Sequence, residues 1–268
     1  MVLDPAVGRL TGADSGPGRL PEPSAIFEAC REILAGHRAD LVGRTVVVSA
    51  GGTREHLDPV RFLGNRSSGK QGYALASTAA ARGARVVLVS ANVSLPDPAG
   101  ATVVRVTSAE ELRRAVHAHG AGADVVVMAA AVADFRPASV EGHKIKKDDA
   151  GGVPAPIALE RTTDVLAEVV ARRDELGIGQ VVVGFAAETG DADATVLDHG
   201  RAKLARKGCD LLVVNEVGHD RGFETEDNDV VILAADGSAP VSAHGPKSLV
   251  ADTVWDRVVA LLAAADTR

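Results

Sequence analysis

The sequence predicts an α/β protein in which a mainly parallel sheet is covered by helices on both faces. Three observations carry this expectation. Short runs of apolar β-formers alternate with helical patterns along most of the chain, as βαβ units require. Hydrophobic residues make up 46% of the 268 residues and aromatics only 3%, a balance set by Ala, Val and Leu that suits parallel strands buried on both faces. The first strong strand runs into adjacent glycines, Gly51-Gly52, which let a ligand approach the backbone closely.

Residues 1–40 read as a linker and the remnant of something that precedes them. Gly8, Gly12, Gly16 and Gly18 alternate with Pro5, Pro17, Pro21 and Pro23, so segment 1–23 offers no strand. Ser24–Ala35 reads as one amphipathic helix with Ser24 as its N-cap. Residues 41–268 form the main domain. Strands are expected at Thr45–Ser49, Arg85–Ser90, Asp124–Ala129, Gln180–Phe185, Leu211–Asn215 and Asp229–Leu233. Helices are expected at Gly69–Arg82, Ala109–His119, Thr163–Leu176, Asp191–Lys207 and Ser248–Ala265. With right-handed crossovers this makes a Rossmann-like three-layer sandwich. Ligands in such sheets bind beyond the carboxyl ends of the strands, so Gly51, Ala130, Ala186 and Asn215 should surround one crevice.

Residues 136–160 break the pattern. Pro137, Pro154, Pro156 and Gly151-Gly152 disfavour a helix, and Lys144-Ile145-Lys146-Lys147 alternates like a short strand. This reads as a protruding flap that folds over the crevice or reaches a partner subunit. A solvated strand margin is the ordinary alternative for such lysines.

Charge and cysteine usage exclude several classes. The net charge is −7, which repels nucleic acid and anionic membranes. Cys30 and Cys209 are far apart and lack any CxxC setting, so neither a disulfide framework nor a metal cage is expected. The histidines form no ligand spacing; His117 and His119 lie two apart, on different faces of a helix. No apolar run reaches the length of a membrane span and no secretory leader is legible, so a cytoplasmic protein is the expectation.

The chemistry concentrates between Val46 and Gly72. After the strand, a polar loop carries Arg54, Arg61, Asn65, Arg66 and Lys70 and closes on Ser67-Ser68-Gly69 at a helix start. Helix-start N–H groups and clustered cations favour an anion, most simply a nucleotide. Two phosphate-binding patterns fit only in part. Gly64 to Lys70 has the P-loop spacing, but Gln71 stands where a hydroxyl should ligate magnesium, and residues 49–63 separate it from its strand. The dinucleotide pattern G-x-G-x-x-G is absent, which argues against a nicotinamide-dependent oxidoreductase. A nucleotide-binding module without catalysis stays open.

These residues resemble a known family. SAGGTREHLDPVRFLGNRSSGKQG (Ser49–Gly72), AAAVADFRP (Ala129–Pro137), KIKK (Lys144–Lys147), GFAAET (Gly184–Thr189), RAKLARKGCDLLVVNEV (Arg201–Val217) and FETEDNDVVIL (Phe223–Leu233) resemble bacterial phosphopantothenate–cysteine ligase. This is the ligase half of a bifunctional coenzyme A biosynthesis protein. Gly8–Pro23 is similar to the tail of the decarboxylase half, but Thr11-Gly12-Ala13 lacks that half's catalytic cysteine. The resemblance thus implies a decarboxylase domain in the full-length protein and no FMN on this piece.

The family reaction, by this resemblance, activates 4′-phosphopantothenate with CTP to an acyl-cytidylate, releasing pyrophosphate. L-cysteine then attacks and CMP leaves. Mg2+ and cations are needed because a carboxylate attacks a triphosphate of like charge. The resemblance places CTP on Met128, Ala129, Ala130, Asp134, Lys144, Thr163, Asp164, Val165, Leu166, Phe185, Lys203 and Lys207. It places the acyl substrate on Gly52, Arg61, Asn65 and Ala131, with Asn65, Arg61 and Lys144 as the catalytic set and metal ligands unassigned. Asn65 can donate to the acyl oxygen, and Arg61 can hold an anion by its fork. An Asn before a helix is often only a cap. Lys203 and Lys207 lie four apart on one helix face and repel unless an anion lies between them. The family also implies a homodimer.

Overall fold

The computed structural model describes residues 5–9, 14–21, 23, 26, 30, 38–145, 156–177, 181–188, 195–216 and 227–267. Its contacts divide the chain into two units, Met1–Asp40 and Leu41–Arg268.

In the first unit, β1 (Ala6–Arg9) and β2 (Ser15–Arg19) pair antiparallel, with Val7 opposite Pro17 and Arg9 opposite Ser15. This corrects the expectation of no strand in 1–23. A two-stranded ribbon has only edge strands, where proline's missing N–H need not face a partner. Pro23, Ile26 and Cys30 are helical, while Ser24 lies outside the described residues.

The second unit begins with β3 (Thr45–Gly51), the short hairpin β4 (Arg54–His56) and β5 (Phe62–Gly64), and α1 (Lys70–Ala81). Then follow β6 (Arg85–Ala91), β7 (Ala101–Val106), α2 (Ala109–Gly120) and β8 (Val125–Met128). A second hairpin, β9 (Phe135–Pro137) with β10 (Leu159–Arg161), precedes α3 (Val165–Ala171) and α4 (Arg173–Leu176). The chain continues with β11 (Val181–Glu188), α5 (Val196–Lys207), β12 (Leu211–Glu216), β13 (Asp227–Ala234), β14 (Val241–Pro246) and α6 (Lys247–Asp266).

Eight strands form one sheet in the order β14-β13-β12-β11-β8-β3-β6-β7. The six from β12 to β7 are parallel, and β13 and β14 join antiparallel. The expected Rossmann-like α/β sandwich is therefore the observed one. Each strand and helix expected from Thr45 onward in the alternating pattern is found within a few residues, with the expected helix 163–176 split at Arg172. Lys144 and Ile145 of the short strand expected in the flap are not in a strand, and Lys146 and Lys147 lie outside the described residues. Residues 180 and 191–194 of the expected elements lie outside the described residues. Strands β7 and β14 were not expected. Both are edge strands, half exposed and interrupted by Arg, Ser, His or Gly, so they lack the continuous apolar signature of the buried ones.

The core lies on both sides of the sheet because strand side chains alternate. Val46, Val48 and Ala50 pack with Leu75, Trp255 and Val258 under α1 and α6, while Val47 packs with Leu112, Val116 and Val169 under α2 and α3. Trp255 is fully buried and donates Nε1–H to the Leu75 carbonyl at 3.0 Å. Arg82 at the end of α1 bonds Asp256 at 2.9 Å and the Asp252 carbonyl at 3.2 Å, locking α1 to α6. Chain order moves outward from β3 to β7 and then returns to β8 on the other side. The switch point thus lies between β3 and β8, where such sheets open a crevice. Among the described residues no helix is long and apolar enough to cross a membrane.

Candidate active site

The floor of the crevice is made where β3 and β8 run on past the sheet. Gly51 has φ 87°, and a Cβ there would lie 2.0 Å from the Ala91 carbonyl oxygen, so only glycine fits. Gly52 then bridges Ala131 in parallel fashion. Ala131 N donates to Gly51 O at 2.8 Å, and Thr53 N donates to Ala131 O at 3.1 Å. The buried Thr53 hydroxyl accepts from Ala133 N at 2.9 Å. Residues 131–133 are thereby held against the β3 tail at the carboxyl ends of the parallel strands.

Asn65 lies over this floor. Its Nδ2 donates to the Val132 carbonyl at 3.0 Å, which leaves its second N–H for another acceptor. A Cβ on Gly52 would come 2.6 Å from the Asn65 carbonyl oxygen, so the glycine allows this close approach. The cap of α1 is Gly69, with φ 78° and no side-chain hydrogen bond; Asn65 is not a helix cap.

The loop carrying Asn65 is pinned by a residue that sequence reading passed over. Asp58 is fully buried and accepts from Val60 N and Arg61 N at 2.8 Å each, Arg61 Nε at 2.9 Å and Ile145 N at 3.1 Å. Bonds from the Arg61 side chain and then from three backbone N–H groups outweigh burial and hold its carboxyl well below the usual range. The signal was present in Asp58-Pro59, a turn-forming pair whose aspartate bonds the backbone ahead of it. Arg61 also donates to the Ile145 carbonyl at 2.9 Å. Its fork is therefore engaged by Asp58, and Arg61 clamps the loop to the start of the flap rather than facing the cavity. Lys144 is likewise exposed and absent from the cavity wall. Both depart from the expected site for one reason: the chain around 144–145 is held back against Asp58. Lys146 and Lys147 lie outside the described residues.

A cavity of about 730 Å³ opens above the floor. Its wall gathers Asn65, Met128, Ala130, Ala131, Asp134, Phe185 and the start of α3 at Thr163, Asp164, Val165 and Leu166. Lys203 and Lys207 reach it from α5, whose start is fixed by a capping box between Thr195 and Asp198. Arg66, one of the loop cations expected to favour an anion, also lines it, as does Arg161, which the sequence had not singled out. Ala129 borders a smaller adjoining cavity together with Ala186 and Asn215, whereas Gly51 turns toward Ala91 and Val93 and borders neither. Three of the four expected crevice residues are thus brought together.

The two lysines do not form the bare like-charge pair expected. Lys207 Nζ is ion-paired with Asp164, which also caps α3 by accepting from Ala167 N at 3.1 Å. Burial pushes the Asp164 carboxyl up, but the Lys207 ammonium and the Ala167 N–H outweigh it and hold it low. The repulsion is relieved within the protein before any ligand arrives. Cys209 lies behind the site, and burial pushes its thiol up to about 11, so it is no nucleophile. Among the described residues no group of three or more His, Cys, Asp or Glu is placed to hold a metal.

The cavity at the switch point is floored by small residues and walled by an asparagine, two aspartates, two arginines and two lysines, a set chemically suited to an anionic ligand. The family model for the DNA/pantothenate metabolism flavoprotein C-terminal domain matches residues 41–262. The chain belongs to this family. It is 56% identical over 269 residues to the Coenzyme A biosynthesis bifunctional protein CoaBC of Mycobacterium tuberculosis, covering 98% of this chain and 64% of that protein. With the same-named protein of Bacillus subtilis the identity is 43% over 238 residues, covering 88% of this chain and 56% of the relative. The chain thus spans less than two thirds of the length of these relatives. Among solved structures, the C-terminal domain of a Coenzyme A biosynthesis bifunctional protein CoaBC superposes with a TM-score of 0.68 at 34% identity, covering 84% of this chain and 99% of that one. This family membership agrees with the resemblance drawn from the motifs and leaves no support for the oxidoreductase alternative.

Proposed function

We propose that this chain is a CTP-dependent ligase that joins 4′-phosphopantothenate to L-cysteine in coenzyme A biosynthesis. The observation that carries the reading is the convergence of Asn65, the 130–133 floor, Asp134 and Lys203 with the Asp164–Lys207 pair on one cavity. The nucleotide lies in the larger cavity between the start of α3, Phe185 and α5. Lys203 and Arg66 offset phosphate charge there, and the small side chains of Ala130 and Ala131 let the reacting carboxylate approach the α-phosphorus. Magnesium would fit such a site as a companion of the triphosphate, with Asp134 as the wall carboxylate that Lys207 does not pair, and would supply charge neutralisation when bound.

In the first half-reaction the phosphopantothenate carboxylate attacks the α-phosphorus, and pyrophosphate leaves with the bonding pair. In the second, the cysteine amine attacks the acyl carbon of the cytidylate. Negative charge grows on the acyl oxygen, and the second N–H of Asn65 is placed to stabilise it. The first N–H, bonded to Val132, fixes the amide's orientation, so little reorganisation accompanies the reaction. Lys144 and Arg61, drawn back against Asp58, take part only if the flap moves inward or a second subunit contributes it.

We also infer a homodimer, cytoplasmic and fused in its longer form to a decarboxylase domain. Phe62, Phe135, Val140, Ile145, Ile157 and Leu159 are exposed large apolar residues on neighbouring hairpins, a surface suited to a second copy. The test of the ligase reading is magnesium-dependent pyrophosphate release from CTP that needs phosphopantothenate but not cysteine for the first turnover. Equal activity with ATP and CTP sinks the nucleotide assignment.

A further inference from the structure

A single peptide group in the floor lies between two side chains. No peptide bond among the described residues is cis, so the C=O of Val132 and the N–H of Ala133 point in opposite directions from one plane. The N–H donates to the Thr53 hydroxyl at 2.9 Å on one side, and the C=O accepts from Asn65 Nδ2 at 3.0 Å on the other. Because a carbonyl only accepts, this contact also settles which end of the Asn65 amide faces the floor: the nitrogen does.

The neighbours of this peptide are anchored by other groups. Thr53 N donates to the Ala131 carbonyl at 3.1 Å, and Ala131 N to the Gly51 carbonyl at 2.8 Å. Beyond it, the Thr162 hydroxyl donates to the Ala133 carbonyl, and Thr162 N to the Asp134 carbonyl at 3.0 Å. Those bonds hold the ends of the segment but not the tilt of the plane between them, which turns on the φ and ψ angles at either side. The Thr53 hydroxyl is the group that holds its N–H. Thr53 is fully buried and is absent from the cavity wall, whereas Asn65 and Val132 both line the cavity.

We propose that Thr53 is a positioning residue for amide formation: its hydroxyl sets the tilt of the Val132–Ala133 peptide, and the Val132 carbonyl in turn aims the second N–H of Asn65 at the acyl oxygen. This rests on the ligase reading above and on the role of Asn65 within it. Without the hydroxyl the peptide turns, the Val132 carbonyl leaves Asn65, and the amide swings on its own torsions. The donor is still present but is no longer held where charge develops, so the advantage of preorganisation is lost. Activation by CTP draws on Lys203 and Arg66 across the cavity and does not depend on that tilt.

Phosphopantothenate-dependent exchange of pyrophosphate into CTP, without cysteine, reports activation alone, and amide formation reports the second step. A parent protein that performs neither overturns the ligase reading and this role with it. Thr53→Val replaces the hydroxyl by a methyl at nearly equal volume, whereas Thr53→Ser keeps the hydroxyl. Thr53→Val should lose about tenfold or more in kcat for amide formation and accumulate the acyl-cytidylate, seen by mass spectrometry. Its exchange rate and KM for CTP should stay within about twofold of the parent, and Thr53→Ser should stay within about threefold in both assays. A double-mutant cycle distinguishes aiming from mere support of the floor. In an Asn65→Ala background Thr53→Val should cost less than about twofold more in amide formation, because the side chain it aims is gone. Equal losses in the two backgrounds overturn the proposal. So do parental amide formation by Thr53→Val, exchange that falls as far as amide formation, and a Thr53→Ser variant as slow as Thr53→Val. Should Thr53→Val not fold, Thr53→Ala removes the same acceptor without setting a γ-methyl against the Ala133 N–H, and takes its place in the cycle.

Discussion

Asn65 and Asp58 show how two residues of one loop divide the work. Asn65 spends one N–H on Val132 and keeps the other for substrate, so its role is tested by changing donor to acceptor at constant size. Asn65→Asp should slow attack by cysteine by roughly a hundredfold, about 3 kcal/mol, while activation by CTP suffers less. The variant should accumulate the acyl-cytidylate, detectable by mass spectrometry; turnover of cysteine at the parental rate ends the catalytic assignment. Asp58 is structural, and its lowered pKa fixes the sign of its pH dependence. A carboxylate held low by Arg61 and backbone donors contributes stability above the ordinary carboxylate range and loses it as pH falls through its folded value. Thermal melts of the parent should therefore weaken below about pH 4, whereas Asp58→Asn should start less stable at neutral pH and show a shallower acid loss. Equal acid slopes in the two proteins would remove Asp58 from this account.

At the scale of elements, the site depends on how closely the β3 tail and the Asn65 loop approach. Gly52→Ala puts a Cβ 2.6 Å from the Asn65 backbone oxygen, so the loop must shift. Displacement of a positioned group by about an ångström can cost roughly a hundredfold, and this variant should lose amide formation by roughly tenfold to a hundredfold. Gly142, where an added Cβ meets nothing within 4 Å, is the control, and Gly142→Ala should match the parent in the same assay. Comparable activity of the two variants contradicts the close-approach argument. The hairpins tell a related story. Arg61 and Ile145, on either side of Asp58, tie the first loop to the root of the flap, which links Lys144 to the loop that carries Asn65.

For the whole molecule, the sheet is held by two apolar layers, and Trp255 is the largest buried side chain in the layer under α1 and α6. Trp255→Ala should destabilise by about 3–5 kcal/mol in denaturant titrations, through a cavity and the lost bond to Leu75. A loss under about 1 kcal/mol would mean that this layer repacks around the gap. Assembly is tested on the exposed apolar hairpins. Leu159→Glu combined with Val140→Glu should shift sedimentation toward a monomer and reduce ligase activity, whereas a fully active monomeric parent rules out the dimer.

The sequence by itself determined the layered α/β architecture, because continuous Val-rich strands and 3.6-residue patterns report burial directly. It also determined the family, through ordered motifs, and most of the cavity wall, from Asn65 to Lys207. Only the tertiary structure decided how those charges are spent. Lys207 is matched by Asp164, 43 residues away in sequence, and the Arg61 fork is taken by a buried aspartate that local pattern gave no reason to bury. It also decided the edge strands β7 and β14, whose half-exposed residues carry little periodic signal. The physical reason is common to all of these. Periodicity reports which residues leave water, whereas hydrogen-bond partners across the fold are chosen by packing, and that choice is invisible until distant segments meet.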